Sequence, residues 1–405
     1  MIRRLRALLA DARIKLLSLV VIFASMVPRT RAASRKTGVH GQRRAVLIGA
    51  YGNGNFGDDV IGHAIVRVLQ DNGFAVQVAA RMPTVKHLEA SLQVPVVYVG
   101  GGLSSLYRTW RLAQGSEVAI LGGGGLLEGK RDDQGVHRLV LEYMAKLLVC
   151  RLRTDRVLIH GIGISPDLYS SRIVSAAIRV GLRTVDCISV RDEASVLIAN
   201  EIRSVRRDCT LVEDPATPFL RELAGPIVQD ESALGVVLLD RGRWPHFKPS
   251  DAAAEDKRAT VLRELADKLI IKTRHGKHIV LFSFHWSDPP IVDDLLKAFV
   301  RLGGDPDHVT IRPYVEDGTL SVFADLMRCG TIMSMRFHPA LAALVAGSRV
   351  EIIGNLQKLQ DLERNAGTSL SGTWTYPSAY NDPQEFLTRS LTADRQDDSL
   401  ITRTG

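Results

Sequence analysis

The chain has 405 residues, more than one hydrophobic core usually organises, which predicts two domains. Its 45% hydrophobic and 24% charged residues are those of an ordinary globular enzyme and exclude a disordered or fibrous protein. The net charge of +8 is uneven: residues 1–44 hold eleven Arg or Lys against the single acid Asp11, so +10 lies there and −2 on the remainder, which excludes the basic body that nucleic-acid binding needs.

Leu16–Val27 is an uncharged, mostly apolar run between basic flanks, stopped by Pro28. Its twelve residues would rise about 18 Å as a helix, short of the roughly 30 Å hydrocarbon core, so no spanning helix is expected. Residues 1–40 are read as a basic arm with a membrane-surface helix drawn to anionic headgroups. The protein is then expected in the cytoplasm, at the inner face of the cytoplasmic membrane. A signal peptide, opposed by Arg29 and Arg31 at the cleavage position, and a plain upstream extension are the alternatives. Cys150, Cys187, Cys209 and Cys329 form no C-x-x-C pair, which predicts a reducing compartment, no disulfide and no zinc.

The first domain is expected over 41–226. Ala45–Ile48 reads as a strand, followed by a Gly/Asn loop and a helix from Asp58 to Gln70. Ala75–Ala80, Val96–Val99, Val118–Leu121, Val157–Ile159 and Cys187–Val190 are further strands, with helices near 136–150, 171–182 and 192–202. The proline-containing stretch 210–229 reads as the exit. A second alternation fills 227–391, with strands Gly235–Leu239, Ile279–Phe284, Val309–Ile311, Thr331–Met335 and Val350–Ile353. Residues 392–405 are polar and predict a disordered tail. Buried strands alternating with helices imply an α/β fold of two Rossmann-like domains facing a cleft.

Gly52, Gly54 and Gly57 spell G-x-G-x-x-G, the dinucleotide fingerprint. Three details oppose that reading. The first glycine stands four residues after Ile48; Asp58 and Asp59 occupy the electropositive helix start; and Arg81, not a carboxylate, ends the second strand. The structural alternative has Asn53, Asn55 and Gly57 shaping a turn and Asp58 capping the helix. Asn55 is carried in addition as an acceptor-cleft candidate. Gly122–Gly125 forms a second loop, suited to ligand contact through backbone N–H groups or to tight helix–sheet packing. Gly124 and Gly125 are the ligand candidates there.

Two strand-to-helix junctions carry arginines. Thr331–Met335 runs into Arg336, Phe337 and His338 before Pro339, which favours a helix start. Cys187–Val190 runs into Arg191 and Asp192. Carboxyl ends of parallel strands are where ligands bind, and a guanidinium there suits phosphate or carboxylate. Alternatively, Arg191 pairs with Asp192 or Glu193, and His338 is a capping histidine.

Four segments, 49–65, 118–129, 187–216 and 333–359, are similar in content and order to the polysaccharide pyruvyl transferase family. The R-x-H of Arg336 and His338, with Lys358 twenty residues after the histidine, is the specific part. The resemblance implies a GT-B-like fold and phosphoenolpyruvate as co-substrate without a cofactor. It also implies pyruvate ketals built on a polysaccharide or lipid-linked sugar acceptor. By matching positions, Arg191, Arg336, His338 and Lys358 are its donor-site residues. Asn355 and Arg349 depart from the tyrosine and proline that the family often carries.

Phosphoenolpyruvate needs two anion clamps and a proton carrier. Arg336 and Arg191 suit the clamping, with Lys358 as a point charge, and His338 suits proton transfer. His285, in FSFHWSD, is an acceptor-site candidate. No metal is expected. The alternative is a nucleotide-sugar-dependent GT-B glycosyltransferase, whose retaining members carry two acids eight positions apart; the residue eight after Glu351 is Leu359. A non-catalytic sugar-binding or scaffold role is the third reading.

Overall fold

The computed structural model describes residues 2–27, 42–81, 85–128, 134–165, 171–203, 209–225, 227–240, 252–315, 318–354, 359, 362 and 376–392. Lys358 and the predicted tail beyond Thr392, which is helical, lie outside the described residues.

The chain forms two compact units, Met1–Asn53 with Ile61–Pro215 and Ser378–Gly405, and Gly54–Val60 with Ala216–Pro377. In chain order they contain α1 (Ile2–Met26), β1 (Arg43–Ile48), α2 (Phe56–Asp71), β2 (Phe74–Ala80), α3 (Val85–Leu92), β3 (Val96–Tyr98) and α4 (Leu103–Leu112). Next come β4 (Val118–Leu127), α5 (Gln134–Arg151), β5 (Arg156–Ile164), α6 (Arg172–Thr184), β6 (Cys187–Val190), α7 (Glu193–Arg203) and β7 (Thr210–Leu211). The run continues with α8 (Ala216–Ala224), β8 (Asp230–Val237), α9 (Ala252–Arg274), β9 (His278–Phe282), α10 (Pro289–Arg301) and β10 (Val309–Arg312). It ends with α11 (Thr319–Met327), β11 (Cys329–Ser334), α12 (Phe337–Val345), β12 (Arg349–Ile352) and α13 (Pro383–Thr392).

The first unit holds a seven-stranded parallel sheet in the order β3-β2-β1-β4-β5-β6-β7. The second holds five parallel strands, β10-β9-β8-β11-β12. These are the two parallel-sheet α/β domains the alternation predicts. Each sheet reverses its winding once, between β1 and β4 and between β8 and β11. The carboxyl ends at such a reversal leave a crevice for ligands.

The arm's helix is part of the first unit. It starts at Ile2, well before the apolar run, and α1 packs on α5 and α6. Ile14, Leu17, Val21 and Ala24 are members of the first unit's core. Among the described residues no helix is long and apolar enough to cross a membrane. The boundaries also differ from 41–226 and 227–391. α8 belongs to the second unit, and residues from Ser378 return to the first. There Leu387 and Leu391 of α13 are buried, Phe386 stacks on His160, and Asn381 bridges Val212.

Gly122–Gly125 is not a loop. β4 continues to Leu127, paired with β5 and bent between Gly124 and Leu127. A Cβ on Gly122 would stand 2.5 Å from Ile65, and one on Gly123 2.0 Å from Ile61, so these glycines let α2 lie close on the strand.

Candidate active site

The second unit assembles residues from the ends of β8, β9 and β11 and the start of α2. Arg336 follows β11 as the N-cap of α12, which therefore begins at Phe337, two residues before the expected Pro339. Its side chain is mostly buried. Nε donates to the Leu238 carbonyl at 3.2 Å and Nη2 to Asp288 Oδ1. The other Asp288 oxygen accepts the backbone N–H groups of Phe284 and His285, at 3.0 and 2.8 Å. Burial pushes the Asp288 carboxyl up, against the pull of Arg336 and of those two donors. The guanidinium is thus charge-compensated and held in a fixed plane, rather than presented as a bare anion clamp.

His338 sits on the first turn of α12, partly buried; the capping position is Arg336's. Gly57 lies against it, and a Cβ there would meet Nδ1 at 2.3 Å. Asn55 is the cap of α2, which starts at Phe56 and not at Asp58: Asn55 Oδ1 accepts from Gly57 N at 3.3 Å, and its Nδ2 donates to Asp58 at 2.7 Å. Asn55 also forms an isolated antiparallel bridge with His285, and Trp286 N donates to the Gly54 carbonyl at 3.1 Å. The fold therefore brings Asn55 and His285 together, next to Arg336 through Asp288.

His285 is buried, its Nδ1 2.6 Å from Ser287 Oγ, which in turn donates to Asp240 at 3.0 Å. Asp240, His285 and Asp288 offer ligand atoms within 4.8 Å of one another, a cluster the sequence reading did not see. The chemistry disfavours a metal there. Asp288 already holds Arg336, whose positive charge opposes a cation, and Ser287 links the other two.

In the first unit, Arg191 follows β6 and is buried. Its hydrogen-bonded partners stand farther off along the chain, and the neighbouring Asp192 adds its negative charge to theirs. Nη1 donates to Asp214 at 2.8 Å and Nη2 to Glu128 at 3.4 Å, while Asp192 caps α7 by accepting from Ser195 N at 2.8 Å. Desolvation lowers the pKa of Arg191, but Asp214 and Glu128 outweigh it and raise the value, so the guanidinium stays charged. Glu128 lies in a niche of glycines: a Cβ on Gly125 would approach its carboxylate to 2.6 Å, and one on Gly163 to 2.2 Å. Gly124 is buried and Gly125 exposed at this bend of β4. At the β1 end, Tyr51 fills the space beside the strand reversal, donating to the Gly122 carbonyl at 2.6 Å. Gly49 and Gly62 flank its ring. Of the G-x-G-x-x-G glycines, Gly54 thus makes room for Trp286 and Gly57 for His338, where a dinucleotide reading would seat a pyrophosphate.

The sequence profile of the polysaccharide pyruvyl transferase family matches residues 55–350, more than half of the chain. The chain belongs to the polysaccharide pyruvyl transferase family. The matched span of this pyruvyl transferase contains Asn55, Arg191, His285, Arg336 and His338. No curated protein matches it in sequence. Among solved structures, the UDP-GlcNAc 2-epimerase from Methanocaldococcus jannaschii aligns with a TM-score of 0.55 at 11% identity, covering 86% of this chain and 99% of that one. MnaA from S. aureus, solved with UDP, aligns with a TM-score of 0.52 at 8% identity, covering 88% and 89%. These likenesses show the fold.

Sequence reasoning missed Glu128, Asp214, Asp240, Asp288 and Tyr51. All but Asp240 stood inside stretches already marked as informative, 49–65, 118–129, 187–216 and FSFHWSD, but nothing in a linear pattern names an acid as the partner of a distant arginine.

Proposed function

We propose that the protein moves the pyruvyl group of phosphoenolpyruvate onto two hydroxyls of a sugar, in a polysaccharide or a lipid-linked glycan precursor, forming a cyclic ketal and releasing phosphate. The observation that carries this reading is the Arg336–His338 pair at the carboxyl end of β11, beside the strand reversal of its sheet, in a chain of this family. In the reaction C3 of the donor takes a proton and C2 becomes electrophilic. The two hydroxyl oxygens bond to C2 as its bond to the phosphate oxygen breaks. Of the two hydroxyl protons, one ends in the new methyl group and the other leaves with phosphate.

His338 is assigned to that proton traffic, as acid toward C3 and base toward a hydroxyl, because imidazole exchanges protons near neutral pH. Arg336 is assigned to an anionic group of the donor, its plane set by Asp288. Arg191 and Lys358 are assigned to donor binding on the family pattern. Asn55 and His285 are assigned to the acceptor, with the backbone of Gly124 and Gly125 as further contacts. Support for an acceptor near Asn55 comes from Trp286, whose indole is 62% exposed and rests against Gly54. An exposed aromatic face suits the apolar face of a sugar ring. Contact of α1 with the inner face of the cytoplasmic membrane completes the reading, since it brings the enzyme to lipid-linked acceptors.

The test is phosphate release by the purified protein from phosphoenolpyruvate with cell-envelope glycan precursors, run beside His338→Ala and beside nucleotide sugars as donors. Release that needs acceptor and vanishes in the variant supports the reading. Near-normal release by the variant removes His338 from the mechanism, and turnover of a nucleotide sugar instead rejects pyruvyl transfer.

A further inference from the structure

α1 has two apolar faces, and only one is in the core. Ile14, Leu17, Val21 and Ala24 point into the first unit. Leu16, Leu19, Phe23 and Met26 are 43%, 57%, 69% and 71% exposed. Their spacing of three, four and three places them in one line along the helix, about 15 Å long at the helical rise of about 1.5 Å per residue. Single exposed apolar side chains are ordinary on a protein surface, but a continuous row of four large ones is the kind of patch by which surfaces dock.

Its surroundings are cationic and aromatic. Arg13 and Lys15 are exposed beside the start of the row, and Asp11, the single acid of residues 1–44, pairs with Lys15 at 2.8 Å. At the other end Arg151 donates to the carbonyls of Ala24 and Val27, at 3.3 and 2.8 Å, and so pins the last turn of α1. Two residues on, Arg153 lies 3.7 Å over the ring of Trp110, which stacks with Tyr107. Tyr107 is 60% exposed, and Arg108 and Arg111 of the same helix are exposed too. The corner that anchors α1 therefore also carries aromatic side chains and arginines from α4.

We propose that this row, Leu16, Leu19, Phe23 and Met26, is the face that docks on a bilayer of anionic lipid, with the Tyr107–Trp110 pair at headgroup depth. Charge decides between a membrane and a second copy of the chain. Two copies of this face would bring Arg13 and Lys15 against their own kind, whereas anionic headgroups complement both the local cations and the +10 of residues 1–44. Leucine, phenylalanine and methionine enter the acyl boundary, and tyrosine, tryptophan and arginine suit the interface above it. The core-facing residues fix the rotation of α1, so the helix meets the bilayer with this face only. The proposal rests on the membrane contact read above but not on pyruvyl chemistry, and its test uses no turnover, so the two can fail separately.

The full chain is sedimented with vesicles of phosphatidylcholine alone and of phosphatidylcholine with phosphatidylglycerol, at low and high salt. Binding is expected only with phosphatidylglycerol and is weakened by salt. Leu19→Glu with Phe23→Glu should cut it by about a hundredfold, the loss for two large side chains kept out of the acyl region. The thermal midpoint should be unchanged, because both residues are exposed. Val228→Glu, an exposed apolar position of the second unit, should bind as the parent does. Absence of vesicle binding by the parent overturns the proposal, as does equal binding by the double variant. So does a self-associating parent that the double variant turns monomeric with no change on vesicles.

Discussion

The imidazole of His338 occupies the place where a side chain on Gly57 would have to go, 2.3 Å from Nδ1 to an ideal Cβ. Gly57 lies in the first turn of α2, where its backbone angles would suit any residue. Alanine would normally favour a helix there by up to about 1 kcal/mol. Gly57→Ala should therefore keep the fold and its helix content but displace His338. The expected outcome is a loss of phosphate release of at least about tenfold with an unchanged circular dichroism spectrum; full activity would show that the imidazole can move without consequence.

Asp288 ties Arg336 to the turn before α10 through one oxygen for the guanidinium and one for two backbone N–H groups. Asp288→Asn keeps the shape and leaves a buried cation without its anion. The expected cost is about 3–5 kcal/mol, read from the urea midpoint. Combining Asp288→Asn with Arg336→Met should recover part of that loss, because the stranded charge goes with it.

Glu128 reaches Arg191 only because Gly125 and Gly163 have no side chain. Gly163→Ala should thus mimic Glu128→Gln. Both are expected to weaken donor use, seen as a raised KM for phosphoenolpyruvate. Asp214→Asn should in addition destabilise the first unit, because Asp214 is fully buried against the same arginine.

Trp286 offers a different readout. Trp286→Ala is expected to raise the KM for the sugar acceptor severalfold and leave the KM for phosphoenolpyruvate unchanged. Trp286→Phe should restore most of the loss; a change confined to the donor KM would place the indole elsewhere in the reaction.

His63 and His160 make stability depend on pH. Both are buried, and burial pulls each down to about 4; for His160 this prevails over the opposing pull of Asp214 and Asp382. The unfolded chain binds these protons at a pKa of about 6.5, so it gains them first as the pH falls. Their contribution is complete above about pH 6.5, declines between about 6.5 and 4, and is constant below. For each histidine the decline is on the order of 3 kcal/mol. Urea midpoints across this window should fall with pH in the parent and fall less in His63→Gln and His160→Gln.

Where the chain reports on itself locally, the reading needed no structure. β1, β9 and β11 are short apolar runs whose burial on both faces follows from composition, and Arg336 and His338 are placed at a strand end by Pro339 and the helix behind it. The glycines were legible as glycines but not as what they make room for. Tyr51 against Gly122, Ile61 against Gly123, Glu128 against Gly163 and His338 against Gly57 each come from another stretch of chain, and only contact shows which of them needs the missing Cβ. The same applies to Asp214 and Asp288, whose distance from their arginines, 23 and 48 residues, puts the pairing beyond any local pattern.

Sequence by itself determined the two α/β units, their parallel sheets, and the arginine–histidine junction that marks the family, because each depends on periodicity or on neighbours in the chain. Tertiary structure alone decided that α1 belongs half to a core, that α13 returns to the first unit, and that both arginines sit among carboxylates. Apolar side chains gain from leaving water whether protein or lipid receives them, and a charge is compensated by whatever the fold brings near it. Both outcomes therefore depend on what lies across space and not on what lies next in sequence.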